Sequence, residues 1–495
     1  MASKQYRPWS PTQSFLLPPS PLEWLPAGHL AYFILDVVAT LDLGEIEAAI
    51  EAKDARGERP YQPAMMLALL VYAYCVGVFS SRKIARATFE DVGFRVLAGG
   101  THPHFTTINQ FRLDHRTAFA GLFVQVLRLC QKAGLVKLGH VAFDGSKVAA
   151  NASKHKAMSY QRMSEQEARL VQEVQELLAR ADAADQRDDE KHGVGCAPED
   201  VPAELQRREA RLARIREAKA ALEAEAAKAR ADELRERAEE QRAKAADASV
   251  DAAERERAAA GAVESDKAAD ALRRDDDPPT SGASDGDGTD LPSHRVPHKA
   301  DGTPAPTAQR NFTDAESRIM KKDGAFVQGY NAQTAVDAES QVIVGEAVTN
   351  QAPDCQHLPP MLDRVEANCG QKPAVVSADA GYFSRDNVAA CEQRSVDAHI
   401  AVGRERAGAT PANSDPVREQ MRTKLRSAPG KMIYARRKAI VEPPFGQIKQ
   451  ARGFRRFSLR GLAKVRTEWT FVCLTHNLLK LFRAPSATTP APVPA

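Results

Sequence analysis

The chain has 495 residues, 43% hydrophobic and 27% charged, which excludes a wholly disordered or fibrous protein and suffices for two or three domains. Lys and Arg number 68 against 65 Asp and Glu, and the net charge of +3 alone says little about partners. Its distribution says more: residues 403–483 carry 19 basic and 5 acidic side chains, a local net of +14, and the rest of the chain is at −11. A cationic C-terminal segment on an otherwise acidic chain reads as an anion-binding face, with nucleic acid the first candidate.

All 30 aromatic residues lie outside 161–310, so that stretch is not expected to share an ordinary core. The seven cysteines form no CxxC pair, the pattern of a cytoplasmic chain with reduced thiols, and imply neither a zinc site nor a disulfide framework. Residues 1–21 are Pro-rich, lack the basic-then-apolar pattern of a signal peptide and are expected to be flexible. The apolar run Ala64 to Phe79 is shorter than the roughly 20 residues of a membrane span and is expected as a buried helix.

In chain order, residues 22–135 are expected as a helical N-terminal domain that binds DNA. Pro63 marks one helix start, Ser80 and Ser81 cap another, and Thr106 opens a third. Arg82, Lys83, Arg86 and Arg112 would either present a helix to DNA or form the solvated face of an ordinary bundle. Residues 140–148 alternate as a strand with Asp144 inside it, where propensity disfavours a carboxylate. Residues 161–274 form a charged helical insertion: from Val201 to Arg274, 17 basic and 17 acidic residues cancel. An oligomerisation or positioning arm, separable from the core, is the expectation. Residues 275–310 read as a linker.

Residues 136–160 and 311–483 compose the catalytic core. Gly329 to Asp337 and Gln341 to Val348 are expected as a β-hairpin. A helix around His357 to Ala367, a strand from Ala374 ending at Asp379, a helix near Arg385 to Gln393 and a strand at Ala398 to Val402 follow. Helices at Ala435 to Ala451 and Leu462 to Phe482 close the fold, and residues 484–495 are expected as a disordered tail. This order is that of a mixed α/β sheet.

Asp144, Asp379 and Glu442 fall where such a sheet converges, and oxygen-only ligands suit hard cations such as Mg²⁺. Two such ions clamp the attacking and leaving oxygens of an in-line phosphoryl displacement. Lys449, seven residues after Glu442, lies two helical turns on and on the same face. Arg452, Arg455, Arg456, Arg460, Lys464 and Arg466 follow, interleaved with Phe454 and Phe457, as expected of a segment that holds a phosphate backbone and wedges or stacks on bases. Asp337, at a hairpin end, and Asp354, in a loop, compete with Asp379 for the second position. Lys154 and His155 would touch DNA or stay solvated, and His476 with Asn477 suits packing with polar anchoring.

These residues reach a known family. Tyr61-Gln62-Pro63, Phe143-Asp144-Gly145-Ser146-Lys147, Asn151 to Tyr160, Gly329 to Gln333, Asp379-Ala380-Gly381-Tyr382, Glu442 to Gly446 and His476 to Lys480 resemble a bacterial insertion-sequence transposase of the DDE class, most like insertion-sequence family eleven-eighty-two. The resemblance covers most of the chain outside the insertion. It implies a ribonuclease-H-like catalytic core with Asp144, Asp379 and Glu442 as ligands of two Mg²⁺ per site, Mn²⁺ being able to substitute. It also implies cutting of double-stranded DNA at terminal inverted repeats, joining of the 3′-OH ends to target DNA, and a homodimer on paired ends, in a cytoplasmic, nucleoid-associated protein. In the Tyr, Arg, Glu, Lys pattern of related transposases, Tyr434 and Lys449 fit, and the Arg position falls on Arg437, one residue off, or Lys438. The rival readings are a metal-dependent nuclease without strand transfer and an inactive protein that occupies terminal repeats.

Overall fold

Seven helices come before the first strand: α1 (Leu30–Thr40), α2 (Gly44–Glu51), α3 (Pro63–Cys75), α4 (Ser81–Glu90), α5 (Val92–Leu97), α6 (Phe105–Asp114) and α7 (Arg116–Lys132). The computed structural model describes residues 20–52, 59–192, 201–272, 291–322, 324–403 and 415–484, so nearly all of the expected flexible N-terminus, disordered tail and first half of the linker lie outside the described residues. Pro63 at the first position opens α3, and ten consecutive residues of that helix, Met66 to Cys75, are buried, which is why its sequence shows no polar face. No helix among the described residues is long and apolar enough to cross a membrane. Ser80 does occupy the N-cap of α4, but α6 starts at Phe105 with His104 as N-cap, two residues earlier than a Thr106 cap would set it.

Strand β1 (His140–Ala149) begins the sheet, and β2 (Ala157–Ser159) and β3 (Gln309–Asn311) pair with each other across the insertion. β4 (Arg318–Lys322), β5 (Ala325–Asp337), β6 (Ile343–Thr349), β7 (Val375–Ala378) and β8 (Asp397–Ile400) complete it. β5 is antiparallel to β1 on one edge, and its other edge carries β4 and then β6, both antiparallel to it. On the far side of β1, β7 and then β8 run parallel to it. The result is a mixed sheet with β1 in the interior and one reversed strand beside it. Asp337 terminates the hairpin as expected: its carboxylate accepts from the backbone N–H groups of Leu138 (2.7 Å), Lys137 (3.2 Å) and Glu339 (3.0 Å).

After the sheet strands come α11 (Leu358–Cys369) and α12 (Arg385–Gln393), with the insertion's α8 (Tyr160–His192), α9 (Val201–Ala246) and α10 (Ala252–Ala271) earlier in the chain. α13 (Pro416–Arg426), α14 (Ala428–Gly446), a π-turn at Gln447–Ala451 and α15 (Leu462–Phe482) close the fold. α15 is the element that joins the halves. Fourteen of its residues are buried, and it packs on α7 and α3 as well as on β6. Polar side chains orient it: Asn477 exchanges two 2.8 Å hydrogen bonds with the backbone of Ile343, and the Trp469 indole N–H donates to the Gln333 carbonyl (3.2 Å). His476 bonds Gln341 and Gln447, so it anchors the helix. The N-terminal helices and the sheet therefore share one continuous apolar core.

The insertion keeps its own small clusters, Met163, Leu170, Leu212 and Ile215 between α8 and α9, and Ala231, Leu234 and Ala269 between α9 and α10. Its middle is docked. Glu225 of α9 pairs with Arg310 and Arg318, the Tyr160 hydroxyl donates to Glu223 (2.7 Å), and Leu222 and Ala226 pack with Val296 and Ala308. Residues 291–310, expected as part of a linker, are packed: Leu291 lies in the main core, and Thr349 donates to the Pro292 carbonyl (2.6 Å).

Candidate active site

The register of the parallel pair sets the site. Ala142 lies beside Ser377, so continuing β1 and β7 by two residues puts Asp144 next to Asp379, at the carboxyl end of β7. Open α/β sheets bind ligands at such ends. Asp144 Oδ1 accepts from the Gly145 N–H (3.0 Å), and Asp379 caps the 3₁₀ turn Ala380–Tyr382 by accepting from the Gly381 N–H (2.8 Å). Burial pushes the Asp144 carboxyl up to about 6; Arg437 opposes this, and Asp379 and Asp354 add to it.

Asp354 is the third carboxylate of this neighbourhood. Lys147 bonds both of its oxygens (3.1 and 3.2 Å), and Asn331 Nδ2 (2.7 Å) and Gln333 Nε2 (2.8 Å) donate to it from β5. Burial alone would raise this carboxyl, but His357, Lys147 and Asn331 hold it well below the usual carboxylate range. Tyr382 in turn donates to Gln333. The cage presses on the backbone that carries the aspartates: a Cβ on Gly145 would meet Asp354 Oδ1 at 2.7 Å, and one on Gly381 would meet Asp379 Oδ1 at 3.0 Å and Asp354 Oδ2 at 3.4 Å. Of the two competitors weighed from the sequence, Asp337 is a turn anchor and Asp354 belongs to the site. The signal for it was the pair of amides Asn331 and Gln333, two residues apart in a strand where propensity disfavours Asn, facing one buried partner.

α14 lies across this group. Arg437 Nη1 comes within 3.9 Å of Asp144 Oδ2, and its Nε and Nη1 have no hydrogen-bond partner among the described residues. Lys449 donates to Ser146, two residues beyond Asp144 on the same face of β1, with its ammonium 5.0 Å from the Phe445 ring centre. Glu442 follows Arg437 by five residues on α14 and is exposed, and among the described residues no three His, Cys, Asp or Glu side chains form a group that could hold a metal ion. The crowded, oxygen-only pair of Asp144 and Asp379 fits a hard cation, whose charge would relieve the strain that holds Asp144 near 6.

The basic cluster divides. Arg452 is buried, contrary to its expected place on a DNA-binding face: its guanidinium donates to the Thr475 hydroxyl (2.7 Å) and to the carbonyls of Val472 (3.2 Å) and Tyr74 (3.5 Å). Phe454 and Phe457, each 1% exposed, pack edge to face at 5.5 Å, so neither can wedge or stack on bases. Arg455, Arg456, Arg460, Lys464 and Lys438 are exposed, and Arg466 is half-buried with its Nε bonded to the Val348 carbonyl (3.2 Å). Lys154 and His155 are exposed in a short 3₁₀ turn.

Two family models match the chain: a Transposase DDE domain over residues 287–478 and a Transposase domain (DUF772) over residues 20–114. The curated transposase for insertion sequence element IS1106 from Neisseria meningitidis serogroup B is 27% identical over 178 residues, which is 36% of this chain and 56% of that protein. The chain thus spans little more than half the length of the relative it matches. No solved structure matches it.

Proposed function

We propose that this chain, which matches transposase family models over residues 287–478 and 20–114, is a DDE transposase of an insertion sequence that cleaves phosphodiesters at the terminal inverted repeats of its element and joins the freed 3′-OH ends to target DNA. The observation that carries this reading is the pair of carboxylates, Asp144 and Asp379, side by side on parallel strands beneath Arg437. A sheet with β1 inside, one antiparallel neighbour and two parallel strands beyond supports a ribonuclease-H-like core. The finer membership of family eleven-eighty-two rests on the quoted motifs alone.

Asp144, Asp379 and Glu442 are the proposed ligands of two Mg²⁺ ions per site, for which Mn²⁺ substitutes. When bound, such ions supply Lewis acidity to the attacking oxygen and neutralise the phosphoryl oxygens. The chain's own residues orient the DNA. Arg437, ion-paired with Asp144 and with Nε and Nη1 lacking a hydrogen bond among the described residues, is positioned to take a phosphate oxygen, and Lys449 approaches the same face of β1 through Ser146. Lys438, Arg455, Arg456, Arg460, Lys464 and Arg466 give sequence-independent affinity for the backbone of the terminal repeats and target, and a homodimer pairs the two ends.

The test is cleavage of a duplex taken from the repeats that flank the coding region. Asp144→Ala and Asp379→Ala are each expected to abolish cleavage and strand transfer and to leave duplex binding intact, since carboxylates hold metal and basic residues hold phosphate. An Asp379→Ala protein that cuts normally overturns the assignment. Full activity of Glu442→Ala would leave the aspartate pair in place and remove Glu442 from the ligand set.

A further inference from the structure

We infer that the groove between the N-terminal helices and the C-terminal segment of the core clamps the DNA backbone about five base pairs from the phosphate that is cut. The inference rests on the transposase reading and adds a second, separate contact to it.

The groove has a volume of about 690 Å³ and is built from α4, α6, the stretch after β1 and the loop that follows Arg452. Its walls include Arg82, Arg112 and Arg456, hydroxyl and amide groups of Ser81, Asn109 and Asn151, and no carboxylate. Such a lining takes an anion. Two helix N-termini open on it. α4 and α6 are each ten residues long, and in neither does the N-cap side chain, Ser80 or His104, bond the first-turn N–H groups, so each presents the positive end of its helix dipole.

A buried cation stands behind them. Arg112 is only 6% exposed; its Nη groups donate to the Tyr74 hydroxyl (2.9 Å), the Phe79 carbonyl (3.1 Å) and Asn109 Oδ1 (2.9 Å), and its Nε has no hydrogen-bond partner among the described residues. The bond to Asn109 Oδ1 leaves the amide nitrogen of that residue as a donor. Buried Glu468, on which the Arg112 charge acts, holds the Ser458 side of the groove by accepting from the backbone N–H groups of Ser458 (2.9 Å) and Leu459 (3.0 Å). Arg82 and Arg456 are exposed at the two sides, Arg82 lying 5.0 Å from the Phe105 ring centre. A cleft with exposed arginines at two sides and amide groups along its lining suits a phosphodiester chain better than a compact small anion, because its donors are spread along its length.

The spacing follows from β1. The Phe457 N–H donates to the Ala149 carbonyl (2.9 Å), and Ala149 bridges to Arg456, so the groove is fastened to the far end of the strand that carries Asp144. Five residues of strand cover about 17 Å at ~3.3 Å each. For a duplex whose axis follows β1, that distance is about five base pairs at ~3.4 Å per step.

The experiment uses the full chain with EDTA present, so that binding is read without cleavage, and a labelled 30-base-pair duplex bearing one flanking repeat. The Arg82→Ala, Arg456→Ala double variant is expected to lower the slope of log K against log salt by about two units. In addition, single neutral methylphosphonates are scanned along both strands. In the wild-type protein the fourth to sixth phosphates from the cut should weaken binding when neutralised, and in the double variant the same positions should have no further effect. An unchanged slope, or methylphosphonate losses that simply add to those of the variant, overturns the groove contact. That outcome leaves the transposase reading standing if Asp144→Ala still abolishes cleavage, whereas absence of duplex binding by the wild-type chain strikes the transposase reading itself. Thermal melting of the double variant at the wild-type temperature shows that the change lies in binding.

Discussion

Asp354 shows how much of this site is held by residues that bear no proposed ligand role. Its carboxylate collects Lys147, Asn331 and Gln333, and these contacts sit against Gly145 and Gly381, the residues next to and two beyond the aspartates of the pair. Replacing it by Asn removes the charge that Lys147 faces and turns an acceptor toward a partial donor within the cage. Loss of such supporting partners commonly costs about 10–100-fold in activity. Asp354→Asn is therefore expected to slow cleavage by about that factor while duplex affinity stays unchanged. Single-turnover cleavage beside a binding titration checks it, and equal losses in both would show that the whole fold had shifted.

At the scale of an element, the loop from Arg452 to Arg460 is where a run of basic residues splits into two tasks. Burial pushes the Arg452 guanidinium down to about 10, but its Nη groups are matched to carbonyls on α3 and α15. Gly77, with φ +83°, approaches so closely that a Cβ there would lie 2.5 Å from the Arg452 carbonyl oxygen. Arg452 thus ties the helical half to the core. Arg452→Met removes the buried hydrogen bonds from a charged donor to Thr475 and to the Val472 and Tyr74 carbonyls, each worth about 1.5–3 kcal/mol. The variant should melt well below the wild type and, if it is assayed below that temperature, keep the wild-type salt slope for DNA. Arg456→Ala should do the reverse: an unchanged melt, and a slope lower by about one unit.

For the whole molecule, the insertion is a docked beam. α9 has 46 residues, about 70 Å of helix, and is gripped near its middle by Arg310 and Arg318. α8 pairs with its first half through Glu167 with Lys219 (2.9 Å), and α10 with its second half through Glu254 with Lys244 (2.5 Å). Replacing 165–305 by a Gly/Ser linker would strip Glu225 from two arginines, one of them 11% exposed, and remove Leu291 and Val296 from their clusters. That deletion is expected to lose cooperative melting. Replacing only 178–207, beyond these contacts, by a short Gly/Ser turn should leave the melt and the cleavage of single ends in place. If the arm pairs two ends, paired-end products alone should disappear.

The amino-acid sequence by itself determined the sheet elements and the position of the aspartate pair. Alternation in residues 140–148 and 329–348 and the Asp-Ala-Gly turn at 379–381 are local signals, and β1, β5, β6 and α12 follow them within a few residues. Short strands β2, β3 and β4 escaped because each is too brief to show a period. Only the tertiary structure decided that Arg452 points inward, that Asp354 lies beside Asp144 and that residues 291–310 are packed. A charged residue type carries no direction along the chain. Whether it meets water, a carbonyl or another carboxylate depends on partners far away in sequence: 378 residues separate Arg452 from Tyr74, and 207 separate Asp354 from Lys147.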